Sequence, residues 1–333
     1  MEFFNNHKKL FITAFLFFAG LTILVAILPA LNNQKNNHPL PGSQTLSSDA
    51  VKGKNLYIAN GCVACHTQQV RNVDMDKVWG SRPSLAADYA GIHRTDIWRN
   101  TATLMGTERT GPDLSDIGNR QPGKEWNLLH LFNPRIVVKE SIMPAYPWLF
   151  AITKEPAKSD VVVNVPVNYL NGKEGKVIAT KDALYLIAYL QSLKQTKLPD
   201  GSIAPEFLYV KKTSQAGTAS QIKVLDGTSL YSANCQSCHQ PNGEGLQGAF
   251  PPLKGSPVVN ADNLELYVDI IMNGYDARPE YGAMPPVGTN ANLSAAEVTA
   301  IMNHERTTWG NNAKIVTEEE IKKIMDFVKL KAK

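Results

Sequence analysis

Cysteine is scarce in this chain of 333 residues, which has only four. The four fall into two groups of the same form, Cys62-Val-Ala-Cys65-His66 and Cys235-Gln-Ser-Cys238-His239. No odd thiol remains outside these groups, and no spare pair is left for a separate disulfide.

An excess of charge of one sign is also absent. Lysine and arginine number 34 against 30 aspartates and glutamates, which leaves a formal charge of only +4. This balance gives no indication of binding to nucleic acid, so we expect no nucleic-acid partner. The length exceeds one ordinary domain and predicts two, each large enough to bury a core around a bulky group.

One segment lacks charge altogether: residues 10–31 read LFITAFLFFAGLTILVAILPAL. At about 1.5 Å per residue this run can cross a bilayer core of about 30 Å. A cleaved signal peptide is the alternative, but its apolar region usually has about 7 to 15 residues and ends at a small-x-small site. Lys8 and Lys9 precede the run and Lys35 alone follows closely, which favours a cytoplasmic N-terminus. We therefore predict a retained transmembrane anchor with the rest of the chain outside.

Two stretches repeat the pattern G-x-x-L-Y-x-A-N just before the cysteine groups, at residues 53–60 and 227–234. The first copy has one extra residue, Gly61, before its cysteine. Later elements correspond in the same order: Pro112-Asp113-Leu114 with Pro251-Pro252-Leu253, and Ile142-Met143-Pro144 with Ala283-Met284-Pro285. Each stretch predicts a short helix leading into a motif, and the correspondence indicates an internal duplication.

Composition and periodicity divide the chain into five parts. They are, in order, an N-terminus and transmembrane anchor (1–31), a polar tether (32–48), domain 1 (49–195), a linker (196–225) and domain 2 (226–333). Helical patterns at 182–194 and 317–331 are expected to close the two domains, the second with a threonine cap. Within an insertion at about 150–180, Asn171-Gly172 between two β-rich runs predicts a hairpin.

The C-x-x-C-H spacing is typical of c-type haem attachment. Both thiols add to the haem vinyl groups, and the adjacent histidine binds the iron. Cys62 and Cys65, and likewise Cys235 and Cys238, are the predicted thioether sites, with His66 and His239 as proximal ligands. A pair of disulfides or one shared four-cysteine zinc site is the alternative, but neither needs the histidines or the repeated flanks. We therefore expect two covalently bound haems c.

The sixth iron position of an electron-transfer haem is often filled by methionine. Met143 and Met284 are the candidates, because both occur in a matched Met-Pro context late in their repeat. The other methionines considered are expected to fill the core: Met75, Met105, Met272, Met302 and Met325.

Other polar side chains are weaker candidates. Isolated histidines are usually surface or core residues with a hydrogen-bond partner, and we interpret three in this way: His93, His130 and His304. Arginines can pair with haem propionates, but a solvated surface role is at least as reasonable for the three considered: Arg71, Arg109 and Arg120.

The first repeat resembles the mono-haem subunit II of cbb3-type cytochrome c oxidases over about residues 1–195. The resemblance rests on four runs: GCVACHTQ, GTERTGPDL from Gly106, LFNPR from Leu131 and SIMPAYPWL from Ser141. It implies the same thioether cysteines, His66 and Met143 as ligands, and a proline carbonyl of Pro112 that orients His66. Pro251 or Pro252 would have this role in the second repeat.

Residues 226–333 resemble a generic class I cytochrome c domain, similar to those of the dihaem subunit III of the same oxidases. The resemblance therefore implies a mainly α fold, with one N-terminal transmembrane helix followed by two class I cytochrome c-like domains. Subunit II normally ends after one domain, so the appended domain is a departure from the family pattern.

The function that this resemblance implies is electron transfer outside a bacterial inner membrane. The chain would pass electrons from a soluble or membrane-bound donor to an integral haem b/copper subunit, where oxygen is reduced, and a further cytochrome c subunit is a candidate partner. With one span and no histidine-rich intramembrane segment, the chain is expected to have no active site of its own. A dihaem cytochrome c peroxidase and a shuttle to another respiratory complex are the alternatives.

Overall fold

The computed structural model describes residues 2–36, 45–90, 104–199, 201–207 and 225–331. The chain divides into two compact units. The first unit comprises Met1–Thr45, Ser84–Leu104 and Thr196–Ile203, and the second comprises Leu46–Pro83, Met105–Gln195 and Ala204–Lys333.

The first unit contains the apolar segment as an almost continuous helix. Its elements are α1 (Glu2–Asn5), α2 (His7–Leu21), a π-helical turn (Thr22–Ile27) and α3 (Leu28–Asn36), and it also contains α5 (Ala86–Ala90). The stretch His7–Asn33 is long and apolar enough to cross a membrane, with a mean hydropathy of 2.6 and none of that window buried. A candidate membrane span is therefore present where the sequence predicts it.

The helix extends beyond the predicted end of the anchor. It continues to Asn36 rather than ending near residue 31, so the first part of the predicted tether is helical. The polar residues that follow Leu31 remain compatible with a helix, since the next proline is Pro39. Residues 37–44 of the tether lie outside the described residues.

The second unit is mainly helical. Its first half has α4 (Ser48–Ala59), α6 (Ile117–Arg120), α7 (Lys124–Phe132) and α8 (Lys181–Ser192). Its second half has α9 (Gly227–Asn234), α10 (Gln236–His239), α11 (Glu265–Asn273), α12 (Val287–Asn290), α13 (Ala295–Thr307) and α14 (Glu318–Lys331). The predicted helices before both cysteine groups are present as α4 and α9.

The repeated glycine of the G-x-x-L-Y-x-A-N pattern marks a close helix crossing in both halves. A Cβ atom on Gly53 would overlap the backbone carbonyl of Tyr185 on α8, and one on Gly227 would overlap that of Ala300 on α13. The repeated tyrosines, Tyr57 and Tyr231, are buried beside these crossings. The sequence repeat therefore encodes one helix-pair geometry that is used twice.

The two predicted closing helices are present as α8 and α14, but they pack differently. The helix α4 packs against α8, but its counterpart α9 packs against α13 and not against the terminal helix α14. By packing, α13 is thus the equivalent of α8. The helix α14 is additional: it covers α11 and α13 with Ile321, Met325 and Val328, and Thr317 caps it as predicted. The difference arises because periodicity reports a helix but not the face against which it packs.

The predicted hairpin is part of a three-stranded antiparallel sheet of order β1-β3-β2. The strands are β1 (Phe150–Thr153), β2 (Val162–Val163) and β3 (Lys176–Ala179). Val163 pairs with Val177, and Asn171 and Gly172 adopt the left-handed conformation of the expected turn. The strand β1, which is separated from Pro144 by five residues, was not predicted.

Methionine burial follows the prediction only in the second half of the unit. Met272, Met302 and Met325 belong to the buried core around α11, α13 and α14. Met75 and Met105 are exposed, so the core role predicted for them is wrong. Both lie in the long connection between the first cysteine group and Pro112.

Candidate sites at the two C-x-x-C-H motifs

The first motif begins immediately after α4. The side-chain amide of Asn60 donates to Leu56 O at 2.8 Å and ends the helix. The extra residue Gly61 then adopts a left-handed conformation, with φ of 72°, before the short 3-10 turn Cys62–Ala64. This turn presents Cys65 at the surface while Cys62 is buried.

His66 is held by a carbonyl group from a distant loop. Its Nδ1 lies 2.7 Å from the carbonyl oxygen of Pro112. Burial lowers the pKa of His66, although the bond to Pro112 acts in the opposite direction. A neutral imidazole that donates from Nδ1 keeps the Nε2 lone pair free for a metal.

Backbone bonds align the loop that carries Pro112 with the motif. Gly111 N donates to Cys65 O at 2.9 Å, and Leu114 N donates to Thr67 O at 2.8 Å. The buried carboxylate of Asp113 accepts from Thr67 Oγ1 at 2.5 Å and from Gln69 N at 2.7 Å. The position of His66 therefore depends on a network that joins residues more than 40 positions apart.

The second motif has the same arrangement. His239 is the last residue of α10 and is buried, and its Nδ1 lies 2.9 Å from the carbonyl oxygen of Pro251. Pro251, and not Pro252, is therefore the counterpart of Pro112. Burial lowers the pKa of His239, and the bond to Pro251 opposes this shift. Both motifs thus present a neutral imidazole oriented by a proline carbonyl.

The four thiols are free and not paired in disulfides. Burial raises the pKa of Cys62 and of Cys238 to about 11, and raises that of Cys235 well above its usual value. Among the described residues, no three His, Cys, Asp or Glu side chains converge as a metal site would require. The arrangement favours thioether attachment over the zinc or disulfide alternatives.

The two candidate methionines are half-buried. Arg135 Nη1 donates to Met143 O at 3.1 Å, and Met143 N donates to Ser141 Oγ at 3.3 Å. Met284 forms an antiparallel bridge with Tyr275, through bonds of 2.8 and 2.9 Å. Their role as iron ligands remains a prediction.

The surroundings of Arg120 suit pairing with an anionic group better than the solvated surface role that the sequence analysis considered at least as reasonable. Its Nη2 donates to Asp113 O at 2.5 Å, and the guanidinium group lies over the ring of Trp79. Burial lowers the pKa of Arg120 to about 10. Its Nε is buried and has no hydrogen-bond partner in the described part of the chain. A buried donor of this kind beside the loop that holds His66 suits a haem propionate.

His130 was expected to be a surface or core histidine with a hydrogen-bond partner, and its surroundings differ from this expectation. Its ring stacks on Trp126, with centroids 4.4 Å apart and planes at 14°. Its Nδ1 is buried without a hydrogen-bond partner among the described residues. Burial, with a further contribution from the nearby His66, lowers its pKa to about 3. No sequence signal separates this histidine from a core residue, apart from the Trp126-x-x-x-His130 spacing on one helix face.

The remaining candidates have structural surroundings. Arg109 is largely buried and forms ion pairs with Asp76 and Asp113, so a solvated role for it is wrong. Arg71 also pairs with Asp76. His304 has the expected partner, Thr228 Oγ1 at 3.3 Å. His93 lies outside the described residues.

Family comparisons divide the chain at the same place as the repeat. Residues 2–184 match the family model described as cytochrome c oxidase, mono-haem subunit/FixO. Residues 223–304 match the model described as cytochrome c oxidase, cbb3-type, subunit III. The second match ends inside α13, which agrees with α14 being an addition to the second domain.

Individual relatives are cytochromes c or cytochrome c subunits. The chain is 32% identical over 168 residues to the cytochrome c subunit of a quinone alcohol dehydrogenase from Gluconacetobacter polyoxogenes, covering 46% of this chain and 35% of that protein. It is 34% identical over 110 residues to cytochrome c-552 of Thermus thermophilus, covering 30% of this chain and 83% of that protein. The matched region thus spans about a third of the alcohol dehydrogenase subunit. These matches support the interpretation of the motifs as cytochrome c sites.

Proposed function

Because this chain belongs to the cytochrome c oxidase mono-haem subunit/FixO family, we propose that it is a dihaem electron-transfer subunit of a cbb3-type oxidase. It is a cytochrome c, and its domains bind haem c covalently. The observation that carries the proposal is the pair of C-x-x-C-H motifs whose histidines donate Nδ1 to Pro112 O and Pro251 O. A single site of this kind is what the mono-haem family has. A second site would allow electrons to pass from one haem to the other within the same chain.

We assign one haem to each motif. Cys62 and Cys65 would hold the first haem and Cys235 and Cys238 the second. A bound haem c supplies an iron that accepts and returns one electron. The protein's own contribution is to orient His66 and His239 and to keep their buried imidazole rings neutral. Met143 and Met284 would complete the ligand sets.

Membrane attachment is the second part of the proposal. The apolar helix His7–Asn33 would anchor the chain in the bacterial inner membrane, with a cytoplasmic N-terminus and periplasmic haem domains. The family implies association with a membrane oxidase complex. The partner that receives the electrons would be the integral haem b/copper subunit.

We further propose that electrons enter at the second motif and leave from the first. The first domain is nearer to the anchor in the chain than the second and matches the oxidase subunit family, which suits it to contact the core subunit. The second domain would then meet the donor.

Haem count and partner identity test the function directly. Intact mass should exceed that of the polypeptide by two haems that resist acid-acetone extraction, and gentle detergent purification should recover a haem b/copper subunit. One haem, or an extractable one, would overturn the dihaem assignment. Copurification with a dehydrogenase subunit alone would assign the chain to another respiratory complex.

The direction of transfer can be tested in the full chain. Replacing Cys235 and Cys238 together by alanine should remove the second haem while leaving the first. Turnover with the native cytochrome donor should then fall, and turnover with a small artificial donor should persist because it can reach the first haem. Unchanged native turnover would show that electrons do not enter at the second motif.

A further inference from the structure

The segment between the two cysteines of the second motif is held by side chains of the first domain. Trp126 Nε1, on α7, donates to the carbonyl oxygen of Ser237 at 3.1 Å. Gln121 is buried, and its Nε2 donates to Ser237 Oγ at 3.3 Å and lies 3.8 Å from Cys238 Sγ. Both side chains therefore contact the peptide that carries a predicted haem attachment site.

The carbonyl group of Ser237 needs a donor from outside its own helix. The helix α10 has only four residues, Gln236–His239. In a continuing α-helix Ser237 O would accept from the N–H of residue 241. That residue is Pro241, which has no N–H. The indole of Trp126 thus supplies the donor that the local chain cannot.

The backbone directly after α10 is strained. Gln240 has φ of 64° and ψ of 159°, a conformation that residues other than glycine rarely adopt and that persists only where its surroundings fix it. On one side of this turn, Tyr231 Oη donates to Gln240 O at 2.6 Å. On the other side, Trp126 holds Ser237. His239 lies between these two fixed points, so its position depends on both.

The start of α7 also contacts the segment that leads to the candidate methionine of the second domain. A Cβ atom added at Gly282 would lie 2.9 Å from Cγ of Glu125, the residue before the tryptophan. Gly282 precedes Met284 by two residues, and its N–H donates to Ala249 O at 2.9 Å. The first domain therefore contacts the second on the side of its cysteines and on the side of its candidate methionine.

The two motifs differ in sequence at the positions that make this contact. Ala64 stands where the second motif has Ser237, and it offers no side-chain group for a hydrogen bond. Gln68 stands where the second motif is followed by Pro241, so the first motif keeps the N–H that the second lacks. Both departures from the repeat belong to the contact with the other domain.

We propose that Trp126 and Gln121 are positioning residues for the second motif. They fix the peptide between Cys235 and Cys238, and through it they fix the orientation of His239. The ligand geometry of the second haem therefore depends on the first domain, whereas that of the first haem does not depend on these contacts. This inference rests on the proposed function, because it concerns a haem attached at the second motif.

Hydrogen exchange and redox titration of the full chain in detergent test this role. Trp126→Phe keeps an aromatic ring and removes the donor to Ser237 O. The amides of His239 and Gln240, which donate to Cys235 O and Gln236 O, should exchange about 2 to 10 times faster, the factor that the loss of one hydrogen bond allows. The midpoint potential of the second haem should shift and that of the first should not, because the orientation of the ligand histidine tunes the iron.

A double-mutant cycle tests the second contact independently. Gln121→Leu removes the amide, and Ser237→Ala gives the second motif the residue that the first has at this position. Each variant should speed exchange of the same two amides. If the two side chains act through each other, the double variant should exchange no faster than the single variants. Additive effects would overturn the role of Gln121.

Two control variants separate this role from general packing. Trp148→Phe also removes an indole hydrogen bond, that to Asn60 Oδ1 at 2.9 Å, but within the first domain alone. Asn290→Ala removes a bond of 2.8 Å to Asn119 O, which joins the two domains without involving the cysteine motif. Both controls should leave the exchange of the two amides and the potential of the second haem at their wild-type values.

The outcomes distinguish this inference from the function on which it rests. The haem count is measured first, and fewer than two haems in the wild type would overturn the proposed function itself. With two haems present, wild-type exchange in Trp126→Phe would overturn the positioning role. Faster exchange with an unchanged second potential would also overturn it, since the contact would then serve stability alone. Equal effects in Asn290→Ala would overturn it too, because the motif would then depend on domain contact in general.

Discussion

The Nδ1 atom of His66 lies 2.7 Å from the carbonyl oxygen of Pro112, and Gly111 packs directly against the same imidazole ring. A Cβ atom added at Gly111 would lie 2.7 Å from His66 Nδ1 and 2.9 Å from its Nε2. The hydrogen bond that orients the histidine thus requires a residue without a side chain just before the proline.

We expect Gly111→Ala to displace His66 and disturb the first haem only. Overpacking of this kind costs about 1 to 3 kcal/mol. The variant should unfold at a lower temperature and show an altered spectrum for one haem of two. Gly123→Ala is the matched control, since the nearest atoms to a Cβ added there, in Gln121 and Trp126, lie 3.8 Å away. Wild-type spectra and melting in Gly111→Ala would contradict the role assigned to this contact.

Replacement of either candidate methionine should lower the potential of a single haem. Thioether sulfur favours ferrous iron, and this preference is lost in Met143→His or Met284→His. Potentiometric titration monitored by absorbance measures both haems in one sample. If neither potential moves, another residue fills the sixth position. Met325→Leu is a suitable control, because Met325 is buried in the core around α14.

Asp76 should contribute strongly to the stability of the loop after the first motif. Its buried carboxylate accepts hydrogen bonds from Arg109 and Arg71. Removing one partner of a buried pair typically costs about 3 to 5 kcal/mol. The free energy of unfolding of Asp76→Asn, measured in urea, should be lower than that of the wild type by nearly this amount. Asp49→Asn, which breaks an exposed pair with Lys52, should cost far less, because solvent screens the charges.

The same ion pairs predict a pH dependence on the acidic side. Burial alone would raise the pKa of Asp76, but the bonds from Arg109 and Arg71 outweigh it and lower that pKa. A lowered pKa in the folded state stabilises the protein above the unfolded value, and the gain is lost as the pH falls. The stability difference between wild type and Asp76→Asn should therefore shrink as the pH falls below about 4. A constant difference would exclude this linkage.

Glu305 should have the opposite pH dependence. It is buried, accepts a hydrogen bond from Tyr267 and contacts Cys235, and burial raises its pKa to about 7. A hydrogen bond from the Cys235 thiol lowers this pKa. Haem attachment would convert the thiol to a thioether, which has no proton to donate. The protonated form of Glu305 would then be favoured further. A raised folded pKa stabilises the protein at low pH and the contribution is lost as pH rises through about 7.

The measurement for Glu305 is urea unfolding at about pH 5 and about pH 8. The rise in the pKa of Glu305 corresponds to a change of about 3 kcal/mol in the free energy of unfolding. Wild type should lose stability of this order between the two conditions, relative to Glu305→Gln, which cannot ionise. Parallel changes in the two proteins would contradict the buried, protonated carboxyl group.

Local features of the chain were predictable because they depend on few residues. The cysteine spacing, the apolar run and the G-x-x-L-Y-x-A-N repeat each lie within one short segment. The helices α4 and α9 and the candidate membrane span follow from them. The short strand β1 and the exposure of Met75 and Met105 do not follow from local patterns. A pattern of a few residues does not show which other segments of the chain pack against it.

The sequence by itself determined that the chain has two C-x-x-C-H motifs, each delivered by a short helix, because covalent chemistry and helix periodicity are local. Only the tertiary structure decided that Pro251 rather than Pro252 orients His239. It also decided that α13 rather than α14 pairs with α9, and that Trp126 reaches Ser237. These relationships join residues from 12 to 111 positions apart, and they depend on how separate helices and loops pack, which no local pattern records.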